Sequence, residues 1–320
     1  LVADVALLKA STHRPDSLTE ENVLQLAAHL GSIEQARALY ALTLASEDLD
    51  QRDCARLDTL VELVEAALAH PELTSRAASN TIEQRRNAAA RLSENPPVVA
   101  RLSIAPRAYV LSQTPEALAR QAALCEPPVS GHTVRASVLE EGPERWRIEI
   151  VAADRLGLLS GEAAALNELG FDIADAVVCV WPDGCALTSF GVHRAEPPLA
   201  VEVEERVEAA VRHDLSSLPI DDAIVTFDDV SSPWHTICRV QAPDRQGLLH
   251  AITAAFAAAG TSVHSARVST TAGAVSDSFE LTDATGAKLR DDLKARVVEL
   301  IQTGVRPRKS RRFGVAKIGR

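Results

Sequence analysis

Residues 242–260 read APDRQGLLHAITAAFAAAG. An acid, a base and a glycine stand between an apolar strand-like run and an apolar helix-like run. Such a junction can hold a small ligand. Gly247 has no Cβ, so the backbone there can approach a bound molecule closely. The N–H groups of Gly247, Leu248 and Leu249 would be the free donors of a helix N-terminus, suited to a carboxylate. Asp244 could accept from an ammonium group, so the loop would read both ends of a zwitterion. The plainer alternative is a packed turn in which Asp caps the helix and Arg245 bridges to a neighbouring acid.

The same junction occurs ninety positions earlier, as AADRLGLLSGEAAALNELG at residues 152–170. Asp154 aligns with Asp244, Arg155 with Arg245, Gly157 with Gly247, and Leu158 with Leu248. Gly170 aligns with Gly260 and Ala176 with Ala266. Phe190 meets Phe279 after one deletion in a hairpin turn. In each copy the residues opening the next strand are expected beside that copy's own loop. These are Asp172, Ile173 and Ala174 in the first copy and Ser262, Val263 and His264 in the second.

The elements that must position these loops follow from periodicity. Residues 1–93 carry helical spacing. Thr19 precedes a helix with Val23, Leu26, Ala27 and Leu30 on one face, ending at Gly31. Ser32 caps a second helix carrying Ile33, Ala36, Leu39, Tyr40 and Thr43. A third bears Leu57, Leu60, Val61, Val64 and Leu68, and a more polar fourth covers 79–93. Residues 94–131 are a proline-rich connector with Thr114-Pro115 opening a short helix. From 132 the period changes to two. A hairpin turns at 141–144, and a helix places Leu159, Ala163, Leu166 and Leu169 inward. Two strands then flank Trp181-Pro182-Asp183-Gly184. An acidic helix follows over 198–213, and DDAIVTFDDV at 221–230 reads as the strand that closes the first unit. The second unit repeats strand, helix, strand, strand, helix, with Phe313, Val315 and Ile318 as its closing strand. The reading is α+β: a helical segment followed by two ferredoxin-like βαββαβ units.

Composition narrows the function. The net charge of −11 argues against a nucleic-acid surface, although residues 306–320 are basic, as a solvated tail or edge strand would be. No apolar run reaches the roughly 20 residues of a membrane span, and no signal peptide is visible, so a cytoplasmic location is expected. Five cysteines without a Cys-x-x-Cys pair fit a reducing compartment, with Cys179 and Cys185 able to face each other across a hairpin. No metal-ligand spacing and no catalytic arrangement is found. His213-Asp214 reads as a helix end. The chain starts at Leu1 and contains no Met, which predicts a fragment of a longer protein.

Asp-Arg-x-Gly-Leu-Leu between a strand and a helix, closed by a glycine, resembles the ACT domain, a small βαββαβ module that binds free amino acids. That family usually has proline at x, where this chain has Leu156 and Gln246. The tandem arrangement after a helical region resembles the bifunctional protein-PII uridylyltransferase/uridylyl-removing family. AYVLSQTPEALARQ is similar to its connector, ARVSTTAGAVSDSFELTDATGAKL to its last ACT repeat, and the first 47 residues to the end of its HD domain. The resemblance implies boundaries at 1–93 (end of an HD-type domain), 94–131 (connector), 132–230 and 231–320 (two ACT domains). It also implies a regulatory, glutamine-sensing part of a nucleotidyltransferase that transfers UMP or AMP to the PII protein in nitrogen control. Mg²⁺ is expected only for catalytic domains outside this chain. Here there is no Gly-Ser loop with an acidic pair, and no early His-Asp, only Asp4-Val5. Three other readings remain open. They are a stand-alone ACT-repeat regulator, the regulatory end of another HD/ACT enzyme, and a dimerisation module in which ACT sheets pair within or between chains.

Overall fold

A computed structural model describes residues 20–46, 49–212, 216–232, 234–271 and 274–306, together with residues 8, 10 and 18. Thr19, His213-Asp214 and the strand expected around Phe313, Val315 and Ile318 lie outside the described residues.

Four helices come first: α1 (Glu20–Leu30), α2 (Ile33–Ser46), α3 (Gln51–Leu68) and α4 (Pro71–Thr74). Their 3.6-residue spacing gathers Val23, Ala27, Leu39, Leu57, Leu60 and Val64 into one core. Gly31 ends α1 at a φ of 76°, where an L side chain would be strained. Ser32 Oγ accepts from the Gln35 N–H at 3.2 Å to start α2. The fourth helix expected from sequence is α5 (Arg76–Ala90), capped by Ser75.

The connector is folded, as its apolar content requires. It forms α6 (Pro96–Ser103), α7 (Arg107–Ser112) and α8 (Pro115–Leu124), of which only the last was expected from the sequence. Thr114 caps α8 by accepting from the Ala117 N–H at 3.3 Å.

The remaining chain builds one antiparallel sheet. Its strands are β1 (Val134–Gly142), β2 (Arg145–Ala153), β3 (Asp172–Val180), β4 (Cys185–His193), β5 (Ile224–Asp228), β6 (Thr236–Pro243), β7 (Ser262–Thr271) and β8 (Ala274–Thr282), in the order β1-β2-β4-β3-β7-β8-β6-β5. Helices α9 (Leu158–Glu168), α10 (Ala200–Ala210), α11 (Leu248–Ala259) and α12 (Asp291–Thr303) cover one face. Ala176 pairs with Phe190 and Ala266 with Phe279, so the aligned residues make the same cross-strand pair in both copies.

One strand is placed differently from the sequence reading. DDAIVTFDDV does not close the first unit. Its strand β5 pairs with β6, from Ile224↔Gln241 to Asp228↔Ile237. The corresponding edge of the first unit is filled by β1, hairpinned to β2. Each repeat therefore takes its outer strand from the chain that precedes it. The reason is local: a strand joined to its successor by a short link pairs with it at little loop-closure cost.

The repeats join through β3 and β7. Their register runs from Asp175↔Ser269 to Cys179↔Ser265, with Val177 opposite Arg267. Val177 and Arg267 are equivalent residues of the two copies, so a local two-fold axis passes between them. Pairing of the two repeats' sheets thus occurs within one chain. The opposite face of the first repeat's sheet is covered by the connector together with α5. Val151, Cys179, Trp181, Cys185 and Leu187 share a core with Ile82, Leu102, Tyr109 and Leu118. On the second repeat the corresponding face leaves Arg239, Gln241, Arg267 and Ser276 exposed. Cys179 stands opposite Leu187 rather than Cys185, and all five cysteines are free. Among the described residues no helix is long and apolar enough to cross a membrane, and no group of His, Cys, Asp or Glu is placed to hold a metal ion.

Candidate functional site

Both Asp-Arg-x-Gly loops fold alike. Gly157 and Gly247 are the N-caps of α9 and α11, with φ of 82° and 78°. That left-handed backbone is why glycine stands there. Neither helix start has a side-chain cap, so Asp154 and Asp244 are not capping residues. One expected donor is already used in each loop. The Leu158 N–H donates to Arg155 O at 3.1 Å and the Leu248 N–H to Arg245 O at 3.2 Å.

The arginines do not bridge to acids either. Arg155 Nη1 donates to Gly131 O at 3.0 Å and lies 3.0 Å from His132 Nδ1. Arg245 Nη2 donates to Pro219 O at 2.5 Å. Each arginine staples its loop to the chain segment preceding the repeat.

Each loop borders a cavity, and each cavity is shared between the repeats. The first, of about 180 Å³, is lined by the Asp154–Ser160 loop, by Val178 and Thr188 of the sheet, and by Thr261, Ser262 and Val263. The second, of about 270 Å³, is lined by the Asp244–His250 loop, by Val268 and Asp277, and by Phe171, Asp172 and Ile173. Most residues of the two linings correspond under the local two-fold axis.

This corrects the expectation that each strand start lies beside its own loop. Ser262 and Val263 face Asp154, Gly157 and Leu158 of the first repeat. Asp172 and Ile173 face Asp244, Gly247, Leu248 and Leu249 of the second. Antiparallel packing is the cause. α9 lies against α11 and β3 against β7, so the start of each element meets the end of its counterpart. His264 lines neither cavity. It sits at the register shift between Val263 and Ser265, hydrogen-bonds Thr282 Oγ1 at 2.7 Å and stacks on His235 at 4.8 Å. Burial and the neighbouring His235 lower its pKa to about 4.

The polar character of the two cavities differs. Asp154 lies at the rim of the first, where partial burial raises its carboxyl above the ordinary value. Behind Thr188 lies a residue that sequence reasoning missed. Glu162 is fully buried, and burial pushes its carboxyl up to about 8. The signal was present: Glu162 falls four residues after Leu158 and three after Leu159, on the inward face of α9. At the equivalent position the second repeat has Ile252, and where the first repeat has Thr188 the second has buried Asp277.

Comparison with known proteins follows the same division. Residues 236–301 match the ACT domain family, within the second repeat. The chain is similar to proteins named bifunctional uridylyltransferase/uridylyl-removing enzyme. The one from Rhodospirillum rubrum is 33% identical over 202 residues, covering 55% of this chain and 21% of the relative. Those from Gluconobacter oxydans and Azospirillum brasilense are 30% and 29% identical, covering 50% and 58% of this chain and 20% and 23% of theirs. The chain thus spans about a fifth of the length of the curated relatives it matches. A solved structure of an unknown protein from Galdieria sulphuraria covers 49% of this chain and 91% of its own at 14% identity, with a TM-score of 0.19, too low to carry an argument.

Proposed function

We propose that this chain is the regulatory, amino-acid-sensing part of a PII-protein nucleotidyltransferase of the cytoplasm, with glutamine as its ligand. The observation that carries the reading is the reciprocal pair of cavities. In each, a helix N-terminus with its glycine turn faces the strand start of the other repeat, so a bound zwitterion would touch both repeats at once. The similarity to uridylyltransferase/uridylyl-removing proteins supports the functional setting. Transfer of UMP or AMP to PII, and any need for Mg²⁺, would belong to parts of the full protein outside this chain.

A regulatory part must pass its ligand state onward, which requires different affinity for two states. The first cavity has a physical route for this. The Asp154 N–H donates to Gly184 O at 2.8 Å, in the β3–β4 turn. Asp183 of that turn accepts from Arg101 Nη2 at 2.7 Å, and Arg101 also holds Glu126 at 2.6 Å. Val178 and Thr188 face the cavity while Cys179 and Leu187, their neighbours on the same strands, face the connector.

Calorimetric titration of the 320-residue chain with glutamine, and with other amino acids as controls, tests the reading. Binding selective for glutamine at micromolar to millimolar concentration is expected. If no amino acid binds at millimolar concentration, the sensing function is wrong for this chain. Gly157→Val and Gly247→Val, made separately, then report which cavity is filled.

A further inference from the structure

Beside the first cavity, two side chains keep buried polar atoms that their neighbours do not satisfy, although Arg155 is held elsewhere through Nη1. Both carboxyl oxygens of Glu162 are buried with no hydrogen bond of good geometry, and so are Nε and Nη2 of Arg155. Burial of such groups without partners is costly. The two act on each other electrostatically yet do not meet. The Arg155 edge carries two parallel donors, an arrangement that fits the two oxygens of a carboxylate. Arg155 and Thr188 both line the cavity, and the Thr188 hydroxyl lies against Glu162.

We propose that Arg155 and the Glu162–Thr188 pair form a carboxylate receptor at the wall of the first cavity, with Glu162, which lies outside the lining, a positioning residue that acts through the Thr188 hydroxyl. The inference rests on the amino-acid reading above and adds which end of the ligand is held, and where. An uncharged Glu162 donates its proton to Thr188 Oγ1, and the Thr188 O–H then donates into the cavity. An ionised Glu162 takes that O–H for itself and turns the Thr188 lone pairs toward the ligand, where they repel a carboxylate. Burial holds Glu162 in the uncharged form up to about pH 8.

The charged groups around Glu162 can be named. Its own loop brings Arg155, which favours the ionised form, and Asp154, which opposes it. From the sheet comes Thr188, which is uncharged. From α11 comes His250, in contact with Ser160, and from α10 comes Arg206, bonded to Glu168 at the far end of α9. The second cavity lacks the device, since Ile252 and Asp277 stand in these places.

The test uses butyrate, a carboxylate with no ammonium group to titrate, alongside glutamine on the 320-residue chain. Affinity of the first cavity should be level below about pH 8 and fall by up to about tenfold per pH unit above it. Glu162→Gln can still donate to Thr188, so it should bind with its pH dependence flattened. Glu162→Ile, the residue of the second repeat, and Thr188→Val should each weaken binding by about tenfold or more. Wild-type affinity that stays level through about pH 9, or Glu162→Ile binding as well as wild type, overturns the inference. If butyrate follows the expected pattern while no amino acid binds, the receptor stands and the amino-acid reading falls. If glutamine binds Glu162→Ile unchanged, the reading stands and the receptor falls. If neither ligand binds, both fall.

Discussion

Ser160 of α9 and His250 of α11 occupy the same position in the two repeats and touch each other across the interface. His250 Nδ1 lies 3.2 Å from Ser160 Oγ and 3.0 Å from Ser160 O. Contact between equivalent residues is what a two-fold axis produces. Here the symmetry stops at geometry, because serine faces histidine. The longer ring also reaches Ser216 O at 2.9 Å through Nε2. One side chain thus ties α9 to the segment preceding β5. His250→Ala should cost about 1–2 kcal/mol, the usual range for lost hydrogen bonds to partly buried groups. Urea denaturation would measure it. Because Ser160 lines the first cavity and His250 the second, the same variant should weaken ligand binding in both.

Gly161 carries a second asymmetry. An added Cβ would stand 2.6 Å from Val211 Cγ1 and 3.3 Å from the Val211 backbone. Alanine normally stabilises a helix interior over glycine by about 1 kcal/mol. Here the clash meets a stiff β-branched side chain on backbone that closes α10, so overpacking of about 1–3 kcal/mol should win. Gly161→Ala is expected to destabilise, and Gly161→Ala with Val211→Ala to recover most of the loss. A double-mutant cycle in denaturant reads the coupling directly.

The longer helices, the hairpins and the ninety-residue duplication were legible because each rests on local signals: period, capping residues and turn glycines. Helices α4, α6 and α7 were not, being short helices beside prolines with too few turns to show a period. Ala176 and Ala266 fell where the alignment put them, against Phe190 and Phe279. What was not legible depends on partners far apart in sequence. β5 satisfies the alternation rule equally well beside β2 or beside β6, and nothing in DDAIVTFDDV states which. Asp172, Ile173, Ser262 and Val263 were expected beside the loops of their own copies, and only antiparallel packing of α9 on α11 assigns them to the loops of the opposite repeat. Glu162 is hidden in the sequence because leucines and alanines define the apolar face of α9, and an acid among them is ordinarily solvated.

The buried Glu162 makes stability depend on pH in a defined direction. Its folded-state value is about 8 against an ordinary 4.5. Between these values the native protein holds a proton that the unfolded chain has released. Stability therefore falls as pH rises through that window, by up to about 1.4 kcal/mol per pH unit, and levels off above it. Glu162→Ile places at this site the side chain that Ile252 already supplies in the second repeat. The variant should lose this slope and exceed wild type by the widest margin near pH 8. Denaturation midpoints at about pH 5.5 and about pH 8 would show it. Equal differences at both values would mean that Glu162 is not buried in its neutral form.

Arg101 is the joint between the helical region and the first cavity. Its side chain is 3% exposed, bonded to Glu126 and Asp183 and lying 5.3 Å from the centre of the Trp181 ring. These partners come from the end of α8 and from the β3–β4 turn, so one guanidinium holds the connector against the strands that line the cavity. Removing one member of a buried ion pair strands the others, at a cost of about 3–5 kcal/mol. Arg101→Ala should therefore lower stability by that order. Arg101→Lys should recover little, since a point charge cannot serve two carboxylates and a ring face together. The informative readout is protection rather than midpoint alone. If the turn carries the connector, amide hydrogen exchange in Arg101→Ala should quicken in α6, in α8 and around Gly184, and the Asp154 N–H, bonded to Gly184 O, should quicken with them. Exchange that rises in the helices while Asp154 stays protected would show that the cavity loop is independent of the connector.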